Sequence, residues 1–196
     1  MPKKQSAAKA DKYEAILSAA LSLFVTRGFH GTAVPAVAKR AKVAAGTIYH
    51  YFSSKDVLVN ALFRKCKGAI AQRVYAHFPA GAEPREQFRA MWREMAAFAR
   101  ENPEAFAFLE LHHHASYLDD ESRAVDSSLK EFGAAFVKRA QDQGILKPIE
   151  PMLLMELVFG AFNGMIRASW ENRVELDDDK IMAAEEACWD AVRLHS

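Results

Sequence analysis

The segment AGTIYHYFSSKDVL, Ala45 to Leu58, concentrates side chains that can do chemistry at a surface. A phenol hydrogen-bonds a phosphate oxygen while its ring packs on a sugar or a thymine methyl, and Tyr49 and Tyr51 offer two of them. Thr47 and His50 add a hydroxyl and an imidazole, and Lys55 adds an ammonium for a phosphate. Gly46 lets a backbone approach another molecule closely. Ile48 and Phe52, four apart, can anchor one face of a helix, which leaves Thr47, Tyr49 and His50 on other faces. Together these residues suit a surface that lies on a duplex. The competing reading makes the tyrosines half-buried core rings and Lys55 a solvated charge.

The second reactive cluster is Glu110 with His112, His113 and His114. Consecutive helical residues point about 100° apart, so three adjacent histidines cannot ligate one ion from a regular helix. Glu110 with His114, or His113 with a residue from another helix, remains a metal option. A hydrogen-bonding histidine in a ligand pocket and a plain surface histidine are the other two. No nucleophile–base pairing or phosphate loop accompanies the cluster. Cys66 and Cys188 lie far apart and imply neither a disulfide framework nor a metal site. No cofactor, no metal and no enzymatic activity are expected.

The elements that hold these residues are helices. The chain has 196 residues, 51% hydrophobic and 26% charged, with few glycines and prolines and no run of alternating β-branched residues. The net charge of +1 is unevenly spread. Residues 1–60 hold nine Lys/Arg against three acidic residues, +6, and the remainder seventeen against twenty-two, −5. A basic front on an acidic rear is either the footprint of nucleic-acid binding at one end or a plain solvated charge imbalance. No apolar run approaches the roughly 20 residues needed to cross a bilayer, and the polar start MPKKQSAAKADKYE lacks the apolar middle of a secretory signal, so a cytoplasmic location is expected.

Along the chain, Ile16, Ala19, Ala20, Leu23 and Phe24 share one face of a first helix from about Lys9 to Arg27. Gly28 ends it, with Phe29 folding back. Thr32 is the expected N-cap of a short second helix that has Pro35 in its first turn. The segment KVAAGTIYHYF follows after a tight turn, a helix-turn-helix arrangement, and Ser53 or Ser54 caps a long fourth helix to about His77. Five further helical segments follow: one around Trp92, one restarted at Pro103, one from DDES to Gln143 closed by Gly144, an apolar one after Pro151, and a last amphipathic one. Lys3, Lys4, Lys9 and Lys12 form either a basic arm or a free tail.

The stretch GFHGTAVPAVAKRAKVAAGTIYHYFSSKDVL resembles the DNA-binding region of the TetR family of transcriptional regulators. The shared pattern is Gly28-Phe29, Thr32, Val37-Ala38, then Gly46-Thr47-Ile48-Tyr49-His50-Tyr51-Phe52, Lys55 and Leu58, over roughly the first 60 residues. Two positions depart from it. Lys42 stands where the family usually has glycine, which asks lysine to take an unfavourable turn geometry; Ala44 replaces a polar N-cap worth about 1 kcal/mol. Lys42 and Lys39 can supply phosphate charges in compensation.

The resemblance implies an all-α fold. Residues 1–55 would form a three-helix helix-turn-helix DNA-binding domain, and residues 56–196 a helical effector-binding and dimerisation domain. The DNA-contact candidates are Thr32, Lys39, Lys42, Ala45, Gly46, Thr47, Tyr49, His50, Tyr51 and Lys55. The aromatic and methionine-rich rear interior suggests an apolar effector held among Trp92, Met95, Phe98, Phe106, Leu109, His113, Tyr117, Phe159, Phe162 and Met165. Gly160 and Gly164, with Ala168, Ala184 and Trp189, are the dimer candidates, although the glycines suit intrachain packing equally. A homodimer on a palindromic operator, released by a small effector, is the expected function. Two rivals are a small-molecule binder with vestigial DNA binding and a metal-dependent enzyme using His112 to His114.

Overall fold

The computed structural model describes residues 2–111 and 116–195, without the side chains of residues 2–8 and 111. Among the described residues there are nine helices: α1 (Pro2–Arg27), α2 (Val34–Arg40), α3 (Ala45–Tyr51), α4 (Lys55–His77), α5 (Pro84–Glu101), α6 (Pro103–Leu111), α7 (Asp120–Asp142), α8 (Pro151–Trp170) and α9 (Asp178–Val192). The chain divides into two compact units. One comprises the chain up to Gly68 with Asn102–Val125; the other comprises Ala69–Glu101 with the chain from Asp126 onward.

The first unit is built on α1. Its apolar stripe, Ile16, Ala19, Ala20, Leu23 and Phe24, is buried as the spacing predicts. Phe24 lies 6.2 Å from Phe108, which brings α6 onto the same core. The helix begins at Pro2 rather than near Lys9, so the basic start is helical backbone and not an extended arm. Gly28 takes φ +70° and its N–H bonds to the Phe24 carbonyl at 2.9 Å. Phe29 then folds back to 6.0 Å from Phe24.

The turn between α2 and α3 is a Schellman motif. The Val43 N–H reaches the Ala38 carbonyl (3.0 Å), the Lys42 N–H reaches that of Lys39 (3.3 Å), and Lys42 sits between them at φ +56°. The left-handed geometry expected of Lys42 is therefore present. The hydroxyl expected to cap α2 is not. Ala33 is the N-cap and Pro35 follows Val34 in the first turn. Ala44 begins α3 without a side-chain cap, as its missing oxygen dictates. Ser54 caps α4, its Oγ accepting from the Val57 N–H at 3.2 Å.

The α6–α7 connection is tied to α4 within the same unit. Asn60 donates to the Tyr117 carbonyl at 2.8 Å and accepts from the Asp119 N–H at 2.9 Å. Asp119 caps α7 through the Ser122 N–H (2.8 Å) and pairs with Arg64 (3.0 Å). The Ser122 backbone donor, then the Ser122 hydroxyl and Arg64, hold the Asp119 carboxyl below its usual 3.8.

In the second unit, α5 and α9 pack together. The Trp92 indole N–H donates to the Ile181 carbonyl at 3.2 Å, and Phe162 meets the Trp92 ring edge-on at 5.0 Å. Glu185, buried on α9, is held by Arg85 at 2.9 Å. Gly144 at φ +70° ends α7 as expected. The apolar helix α8 corrects the sequence reading. It is 20 residues long and contains an 18-residue window of mean hydropathy 1.2, which is the length and composition to cross a bilayer.

Candidate nucleic-acid interface and effector cavity

Helix α3 is held from one side only. Ile48 and Phe52 are buried, and the Tyr13 ring stacks on Phe52 at 5.1 Å. The opposite side carries two i,i+4 pairs, Ala45 with Tyr49 and Gly46 with His50, and all four residues are exposed. Tyr49 is 54% exposed, a large value for a big ring in a packed unit. A Cβ on Gly46 would meet nothing within 4 Å, so internal packing does not demand glycine there. Thr47 is half-buried on the flank, and Lys39 and Lys42 are exposed around the preceding turn. This ridge combines phenol, imidazole, hydroxyl and open backbone with cations beside it.

Three candidates from the sequence stand elsewhere. Thr32 is 1% exposed, and its hydroxyl donates to the carbonyls of Leu23 (3.1 Å) and Gly28 (2.8 Å). It locks the α1–α2 turn and cannot reach an outside partner. The Lys55 ammonium donates to the carbonyls of Phe29 (3.0 Å) and Thr32 (3.3 Å) and lies 4.2 Å from the centre of the Phe29 ring. Two of its three N–H donors brace the same turn, and the half-exposed head keeps the third. The Tyr51 phenol donates to the Lys9 carbonyl at 3.1 Å, with its ring 6.1 Å from Tyr13, so it fastens α3 to α1.

The second unit contains a cavity of about 110 Å³. Its walls come from α4 (Ile70, Val74), α5 (Phe88, Met91, Trp92, Met95), α7 (Leu129, Phe132, Gly133, Phe136, Val137), α8 (Leu154, Met155, Val158, Phe159), and Leu146 and Val192. Of the effector candidates, Trp92, Met95 and Phe159 line it. Phe98 and Phe162 are buried and Met165 is half-buried, and none of the three lines the cavity. Phe106, Leu109 and Tyr117 belong to the first unit. There α6 packs on α1, and Tyr117 stacks on Phe29 at 4.4 Å. Burial pushes the Tyr117 phenol up to about 12. His113, with His112 and His114, lies outside the described residues.

The α7 wall was missed, although its spacing was legible. Leu129, Phe132, Gly133, Phe136 and Val137 follow the i, i+3, i+4, i+7, i+8 pattern of a helix face.

On α8 the large side chains Leu153 and Leu157 are 54% and 56% exposed, and Gly160 and Gly164 continue the row. A Cβ at either glycine would meet nothing within 4 Å, so their smallness does not serve intrachain packing. Ala168 on α8 is half-buried; on α9 Met182 is likewise exposed and Ala184 is half-buried. Trp189 does not belong with them. It is buried inside the unit, 5.3 Å from Phe88 and beneath the Arg85 guanidinium at 5.2 Å.

Comparison with known proteins joins the two parts. Residues 16–62 match the family of bacterial regulatory proteins, tetR family, and residues 63–194 match the tetracyclin repressor-like C-terminal domain. An uncharacterized HTH-type transcriptional regulator from Haemophilus influenzae is 30% identical over 158 residues, 76% of this chain and 79% of the relative. The HTH-type transcriptional regulator RutR of Escherichia coli O157:H7 is 30% identical over 160 residues, 81% of this chain and 75% of the relative. The crystal structure of a TetR family transcription regulator from Marinobacter aquaeolei VT8 superposes with a TM-score of 0.86 at 25% identity, covering 100% of both chains. With a helix-turn-helix at its front and a helical ligand-binding domain behind, this chain belongs to the TetR family of transcriptional regulators.

Proposed function

We propose that the chain is a homodimeric repressor acting in the cytoplasm, not an enzyme, which grips a palindromic operator and is released by a small, largely apolar effector. The observation that carries the DNA half is the outward ridge of α3, where Ala45, Gly46, Tyr49 and His50 are exposed while Ile48 and Phe52 hold the helix from behind. Thr47 flanks that ridge, and Lys39 and Lys42 bring positive charge to its edge. The wholly apolar lining of the cavity supports an apolar effector.

A single helix-turn-helix reads few bases, and two-fold pairing answers a palindrome with half-sites about 34–36 Å apart. The exposed row Leu153, Leu157, Gly160 and Gly164, with Met182, supports a second copy as the partner, because small residues let helices approach closely. The apolar character of α8 then belongs to a protein–protein face. Effector binding coupled to operator release would involve about 1–3 kcal/mol.

Selection of genomic fragments by the purified protein should return an inverted repeat, bound with an affinity that falls steeply with salt. Tyr49→Phe removes one hydrogen bond at the ridge and should weaken operator binding about 5- to 10-fold without changing thermal stability. Shallow, sequence-blind affinity that Tyr49→Phe leaves unaltered would instead favour the vestigial binder.

A further inference from the structure

The cavity has no hydrogen-bonding group to offer a ligand. Its one ring N–H, on Trp92, is already donated to Ile181, and every other wall residue is aliphatic, aromatic, thioether or glycine. A polar group carried in without a partner would give up its hydrogen bonds to water with nothing in return. Only hydrocarbon therefore belongs inside, and the polar part of any water-borne effector must lie outside.

A second opening in the same unit, about 450 Å³, shares Phe136 as a wall with the cavity. It is polar, formed by Glu83, Gln87, Arg139 and Gln143 around the backbone that leads into α5. The Gln87 amide donates to the carbonyls of Pro79 (3.2 Å), Ala80 (3.1 Å) and Ala82 (3.0 Å), which fixes that backbone. Arg139 and Glu83 are both exposed, so the cleft offers one cation and one anion and no net charge.

We propose that this cleft receives the uncharged, hydrogen-bonding head of an amphipathic effector whose hydrocarbon tail occupies the apolar cavity, with Phe136 as the partition between them. The inference rests on reading the cavity as the effector site. At about 110 Å³ the cavity is smaller than the roughly 150 Å³ that holds a benzene ring, so the tail needs more room. Met155 can supply it. Its thioether fills the space a Cβ on Gly133 would need, at 2.8–2.9 Å, and an unbranched methionine can swing away.

The test is calorimetric titration of the full chain at neutral pH with 1-octanol, octanoate and octylamine, the folding of each variant being checked by thermal unfolding. Octanol should bind about fivefold or more tightly than either ion. Arg139→Ala leaves Glu83 alone in the cleft and should move the ionic preference to octylamine, whereas Glu83→Ala should move it to octanoate. Arg139→Gln and Glu83→Gln give the same contrast should an alanine variant fail to fold. If all three probes bind but the variants do not change their ratios, the head-group site is wrong and the cavity reading stands. If none binds, or if Gly133→Val, whose side chain takes the space Met155 would vacate for the tail, leaves octanol binding undiminished, both fall.

Discussion

Lys42 shows how one residue serves two masters. Of the four described residues at positive φ, Gly28, Gly144 and Asn172 are types that tolerate the conformation, and Lys42 is the one with a long side chain. A left-handed lysine costs about 1 kcal/mol, yet it brings an exposed cation to the edge of the α3 ridge. Lys42→Gly should therefore stabilise the protein by roughly 0.5–1 kcal/mol in denaturant unfolding while weakening operator binding. If both quantities fall, the strain argument is wrong. Thr32 and Lys55 make the reverse point. Their types suggested DNA contacts, yet backbone carbonyls of the α1–α2 turn take the Thr32 hydroxyl and two of the three Lys55 N–H donors. A sequence lists donors, but the fold decides which are already used.

At the scale of elements, the helix ends were the most legible features. Gly28, Ser54, Pro103, Gly144 and the acidic start of α9 act where local chemistry says they should, because a cap depends on a few neighbouring residues. The α7 start carries a pH dependence. Its cap, Asp119, has a folded-state value below the ordinary 3.8, so its stabilisation is complete above that value and is lost as pH falls through the lower folded one. Asp119→Asn keeps a capping oxygen but not the charge. The thermal-midpoint difference between wild type and this variant should be largest near pH 7 and narrow toward pH 3. A difference that stays constant would remove the carboxylate from the account. The N-terminus of α1 was less legible, since polar, lysine-rich sequence carries no helical stripe and the helix there extends back to Pro2 all the same.

For the whole molecule, the acidic rear unit carries an apolar row that its own fold does not cover. Leu153 and Leu157, one turn apart on the same helix, are more than half exposed, and a contiguous apolar row is what marks an interaction surface. Leu157→Glu places a charge in the proposed two-fold interface and should weaken dimerisation by about 2–4 kcal/mol. Analytical ultracentrifugation should then show monomer at concentrations where wild type is dimeric, and operator affinity should drop with it. A wild-type monomer, or a dimer indifferent to this change, would shift the interface off α8.

The all-helical architecture, the helix-turn-helix and the outward placement of Tyr49 and His50 were determined by the sequence itself, since periodicity, caps and i,i+4 faces are local properties of the chain. Thr47, expected beside them, is half-buried. Only the tertiary structure decided which aromatic residues surround the cavity. Phe106 and Tyr117 share the composition of Phe88 and Phe159 but pack in the other unit. Burial and cavity membership are set by contacts between residues far apart in sequence, and no local pattern of apolar residues says which neighbour each will meet.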